Sequence, residues 1–76
     1  MSLDENVINL TIVHPWMSFE EAWILLKYTY LRFKSQEKYN TFKTLMSIEY
    51  GIFQREDEET LRKRIDIAKK FLKYND

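Results

Sequence analysis

A chain of 76 residues is at most one domain, and a domain of that size buries only about 60 % of the surface its unfolded chain exposes. With 45 % hydrophobic and 16 % aromatic residues it stands well above the composition of disordered chains, so one domain over residues 1–76 is expected. Twelve basic and twelve acidic residues cancel, giving no global field toward nucleic acid or anionic lipid, and the absence of cysteine excludes a disulfide framework and a cysteine-based zinc site. No run of roughly 20 apolar residues could span a bilayer, and the opening Met1-Ser2-Leu3-Asp4-Glu5-Asn6 lacks the basic flank of a signal peptide, so a cytoplasmic protein with no membrane partner is expected. The excess of lysine over arginine suits an AT-rich genome, such as that of a low-GC bacterium or its phage.

The first element is read as a short strand over 7–13. Val7-Ile8-Asn9-Leu10-Thr11-Ile12-Val13 is β-branched and alternates, with Ile8, Leu10 and Ile12 on one side and Asn9, Thr11 and Val13 on the other. His14 precedes Pro15 and is biased to an extended backbone, which ends the strand. Ser18 and Glu21 then have the spacing of a capping box, so the first helix is placed at 19–34.

No glycine or proline separates this helix from the next, and the phase of the apolar residues decides between one helix and two. Phe19, Ala22, Trp23, Leu26, Tyr30 and Phe33 form one stripe, whereas Tyr39, Phe42, Leu45, Met46, Ile52 and Phe53 form another. In an unbroken helix the two would lie on the order of 130° apart. A break near Ser35 and an antiparallel pair of helices follow, the second helix running over 37–50 and ending where Gly51, the only glycine, can take the left-handed conformation.

The third helix is placed at 57–74, with acids at its positive end and lysines at its negative end. Glu58 with Arg62, Glu59 with Lys63 and Asp66 with Lys70 stand at i,i+4 in the favourable order, and Leu61, Ile65, Ala68, Phe71 and Leu72 supply an apolar face. The expected fold class is therefore mostly α: a short N-terminal strand followed by three helices in a small helical bundle.

Catalysis is not expected. A nucleophile needs an activating base and a group that orients it, yet His14 is the only histidine and there is no cysteine nucleophile. His14 reads more simply as a turn residue whose ring bonds backbone. One histidine makes a three-ligand zinc site improbable, and one glycine cannot build a phosphate loop, so no metal and no cofactor are expected.

Binding is the expected activity, and three sets of residues are candidates. On the first helix a narrow polar stripe of Glu20, Lys27 and Lys34 separates the core stripe from a second apolar patch, Ile24, Tyr28 and Leu31. A centrally placed helix, self-association as a homodimer, or a different protein docking on the patch would each account for it. Glu49 and Arg64 fall inside apolar arcs of their helices, which suggests an ion pair between them or two side chains reaching the rim. Arg62, Lys63, Lys69, Lys70 and Lys73 are the residues a nucleic-acid partner would use, although the same helix opens with Glu56-Asp57-Glu58-Glu59, which repels phosphate. The leading expectation is a non-enzymatic protein-interaction or regulatory module, and the alternative is a nucleic-acid-binding regulator acting through that basic face.

Overall fold

A computed structural model describes residues 3–36 and 39–73, with side chains described for 5–34 and 41–73. The described residues form helices α1 (Leu3–Val13), α2 (Phe19–Gln36), α3 (Tyr39–Arg55) and α4 (Glu58–Leu72), and none is in a strand. The mostly helical reading stands, but the strand expected at 7–13 is a helix. Alternation was the weaker pattern there: Val7, Leu10 and His14 recur at helical spacing, and all three are buried. A solitary strand would also leave its backbone groups without a ladder, whereas a helix satisfies them internally.

The capping box forms as its spacing predicts. The Ser18 amide donates to Glu21 Oε1 at 2.9 Å, and the Glu21 amide donates to Ser18 Oγ at 3.0 Å. Between α1 and this cap lies only a tight turn, in which the Met17 amide donates to the His14 carbonyl at 2.9 Å. α2 continues through Ser35 to Gln36 and α3 starts at Tyr39, the residues between them lying outside the described residues, and the two helices fold back on each other so that Tyr30 meets Phe42 and Arg32 meets Glu49.

Gly51 does not end α3. It lies in the helix without a positive φ, and the helix continues to Arg55. A glycine inside a helix costs about 1 kcal/mol against alanine. Phe53, two residues on and 1 % exposed, recovers more than that by burial. At the corner into α4, Asp57 takes the N-cap position and accepts from the Thr60 amide at 2.9 Å. α4 closes at Lys73, whose φ of 55° is left-handed, so the helix is slightly shorter than the expected 57–74, and residue 74 lies outside the described residues.

α2 is the centre of the molecule, packing against α1, α4 and α3, while α1 also touches α3. Among the described residues α3 and α4 make no comparable contact although they are consecutive. The core is built from Val7, Leu10, Met17, Ala22, Leu25, Leu26, Tyr50, Phe53, Leu61 and Ile65. This shifts the expected buried stripe of α2: Phe19 is 56 % exposed and Trp23 36 %, whereas Leu25 and Thr29 are buried. Thr29 enters the core because its hydroxyl donates to the Leu25 carbonyl at 2.9 Å, leaving only its methyl to be packed. On α4, Leu61, Ile65 and Ala68 are buried as expected, but Phe71 is 56 % exposed.

Candidate functional site

The patch on α2 is not a free docking surface. Ile24 is fully buried, Leu31 is half-buried, and the Tyr28 ring meets Phe71 of α4 edge-on with centroids 4.9 Å apart. Of the three accounts of Ile24, Tyr28 and Leu31, the central helix fits these positions. An α-helix with neighbours on three sides needs apolar residues around most of its circumference. Exposed Glu20 and Lys34, with half-buried Lys27, mark the strip of α2 that remains toward solvent.

Glu49 and Arg64 take other partners than each other. Arg64 Nε and Nη2 donate to the two carboxylate oxygens of Glu56 at 2.7 and 2.8 Å, and Arg32 Nη2 donates to Glu49 Oε1 at 3.3 Å. The fork onto Glu56, aided by the charge of Glu49, holds the Arg64 guanidinium above its ordinary pKa against partial burial. Glu49 and Arg64 still line one small cavity of about 80 Å³ at the junction of α2, α3 and α4. Reading within single helices could not find the Glu56 pairing, because the corner between α3 and α4 lies between the two residues.

The basic face of α4 is matched by its own acids. Arg62 Nε lies 2.7 Å from Glu58, Lys63 Nζ 3.6 Å from Glu59 and Lys70 Nζ 3.3 Å from Asp66, the three pairs expected from spacing. The Arg62 guanidinium also lies over the Trp16 ring, 4.6 Å from its centroid. Lys69 has partners of its own, and Lys73 forms the helix cap. Exposed pairs of this kind contribute little stability, but they offset positive charge that phosphate would otherwise meet.

His14 is buried, and its Nε2 donates to the Phe53 carbonyl at 2.7 Å. Phe53 is in the last turn of α3, where carbonyls lack helical partners, so the turn between α1 and α2 caps the far end of α3. This is the backbone-bonding role expected of the residue. No group of three or more histidine, aspartate or glutamate side chains among the described residues could hold a metal ion. Nor is any helix among them long and apolar enough to cross a membrane.

Two features emerge only with the tertiary structure. The first is an apolar surface on the N-terminal hairpin: Ile8, Ile12 and Val13 of α1 are 48, 68 and 45 % exposed, and Phe19 and Trp23 face solvent on the adjoining start of α2. Its sequence signal was the run Asn6-Val7-Ile8-Asn9-Leu10-Thr11-Ile12-Val13, which carries no charge and is too apolar for a helix with one buried face. The second is an open groove of about 390 Å³ where α1, α2 and α3 meet. Asn6, Tyr30, Phe42, Met46, Ser47 and Tyr50 line it together with Lys43. The Tyr30 and Phe42 rings stand edge to face at 5.2 Å, and the Tyr50 hydroxyl accepts from Gln54 Nε2 at 3.2 Å. No family model, curated protein or solved structure matches this chain.

Proposed function

We propose that this chain is a non-enzymatic protein-interaction or regulatory module and that it binds through the outward face of its N-terminal hairpin. The observation that carries this reading is the exposure of Ile8 and Ile12, one turn apart on a helix whose other face already fills the core. Contiguous apolar surface of this kind marks interaction sites in folded proteins. The partner is a protein with an apolar surface of its own, a second copy of this chain included, because the uncharged face brings no like charges together when it meets itself.

Nucleic acid bound through Arg62, Lys63, Lys69, Lys70 and Lys73 is the competing reading. The carboxylates placed on Arg62, Lys63 and Lys70 favour the apolar hairpin over it. Light scattering on the purified chain and on Ile8→Lys/Ile12→Lys, together with a pull-down from the source cell, tests the proposal. A specific complex, with itself or with another protein, is expected for the unaltered chain and is lost in the double variant, whose thermal midpoint stays near that of the parent. Undiminished complex formation by the double variant overturns the assignment of the face. A DNA or RNA complex that weakens steeply with salt favours the competing reading.

A further inference from the structure

The outer side of α1 carries information about what covers it. Ile8 and Ile12 stand exposed one turn apart, and no residue from 6 to 13 is charged. The Thr11 hydroxyl is turned onto the Ile8 carbonyl at 2.7 Å. Asn9, next to Ile8 and one turn before Ile12, has a carboxamide with both donor and acceptor, so it is complementary to its own copy. By contrast, the exposed Ile67 and Phe71 of α4 are interleaved with Asp66, Lys69 and Lys70. Together with the exposed parts of Val13, Phe19 and Trp23, Ile8 and Ile12 present roughly 400 Å² of apolar side chain to water. Homodimer interfaces are about 65 % apolar, so that area corresponds to roughly 600 Å² per copy and about 1,200 Å² in a symmetric pair. A specific, stable interface needs about that much at the least.

We propose that a second copy of this chain covers the face, with α1 packed against α1 of its partner across a two-fold axis. This rests on the hairpin being an interaction surface, and it names the occupant. Three features favour a copy over an unrelated protein. A two-fold contact sets each patch against itself, which penalises any charge it holds, and this stretch of α1 holds none. The chain has a net charge of zero, so two copies approach without long-range repulsion. Ile8 and Ile12 form an i,i+4 ridge, the feature through which two like helices interdigitate, and the Asn9 carboxamides of the two copies can donate to and accept from each other beside it.

The test is sedimentation equilibrium of the full chain over a concentration series. A monomer-dimer equilibrium populated at about 100 μM is expected, because an interface of this size is small. Ile12→Lys and Ile12→Glu should each weaken the dimer by about tenfold or more. An equimolar mixture of the two variants should pair about threefold or more tighter than either alone, because the axis brings the opposite charges onto facing surfaces. Position 12 is exposed within the single chain, so at low concentration both variants should keep the thermal midpoint of the parent. A chain that stays monomeric at millimolar concentration overturns the proposal. So does a dimer that neither variant weakens or that the mixture fails to restore, as does assembly that grows past two copies. If the chain is monomeric but a different protein is captured by it and lost with Ile8→Lys/Ile12→Lys, the interaction surface stands and only its occupant changes; a monomer that captures nothing ends both readings.

Discussion

α1 and α4 both pack on the central α2, and they treat water in opposite ways. α4 pairs its outward cations with acids one turn away, caps its start with Asp57 and closes on a left-handed Lys73. Over residues 6–13, α1 has no charge to place outward, so the side opposite the buried Val7 and Leu10 exposes Ile8 and Ile12 instead. α4 also leaves Ile67 at 54 % and Phe71 at 56 % exposed, but more than half of its residues are charged. α1 has no charged residue over 6–13 to set beside its exposed Ile8 and Ile12, and that difference is the physical ground for assigning the partner to the N-terminal hairpin rather than to the basic C-terminal helix.

The largest effect that could break this contrast concerns the two sides of α1. Leu10→Ala should cost about 3 kcal/mol in urea denaturation, much as Leu61→Ala does on α4, because each removes a fully buried side chain. Ile12→Ala, at a position 68 % exposed, should stay within about 0.5 kcal/mol of the parent. Equal losses for Leu10→Ala and Ile12→Ala would mean that the outer face of α1 is already covered in the free chain.

An intermediate effect concerns how the hairpin is tied to the rest of the chain. His14→Ala should destabilise by about 2 kcal/mol, since it leaves the Phe53 carbonyl without its donor and opens space at the end of α3. Amide exchange should rise in the last turn of α3 as well as in the turn that carries the substitution. Exchange altered only near residue 14 would show that the cap is not coupled to α3.

The smallest effect belongs to the α4 cap. Hydrogen bonds from Thr60, with a contribution from the charge of Lys63, hold the exposed Asp57 carboxyl below its ordinary value of 3.8. A carboxyl with a depressed folded-state pKa contributes its full stabilisation above the unfolded value, and this is lost as pH falls through the folded value. The advantage of the parent over Asp57→Asn, followed by thermal midpoint, should therefore be constant above about pH 4 and shrink below it. An advantage that persists down to pH 2 would show that the charge of Asp57 has no part in the cap.

Much of α2, α3 and α4 was legible in the sequence, for reasons local to each helix. Ser18 with Glu21, the phase change near Ser35 and the i,i+4 pairs of α4 involve neighbours along the chain, and the structure reproduces all of them. α1 was misread because β-branched alternation and helical recurrence coexist in Val7-Ile8-Asn9-Leu10-Thr11-Ile12-Val13, and only docking against α2 selects between them. Gly51 was misread because the burial of Phe53, a long-range effect, outweighs the local preference of glycine. Asn6 gave no signal, since the burial of its Oδ1 without a partner depends on how the other helices pack around it.

By itself the sequence determined that the chain folds as a mostly helical unit, where α2 starts, where α2 parts from α3, and how the cations of α4 are matched. Those properties depend on contacts within a turn or two of helix, which spacing encodes directly. Only the tertiary structure decided that Ile24 is core and Ile12 is surface, that Arg64 meets Glu56 rather than Glu49, and that Asn6 lines a groove. Each of these depends on which helix lies beside which, and the apolar residues on every side of α2 allowed more than one arrangement until α1 and α4 took their places.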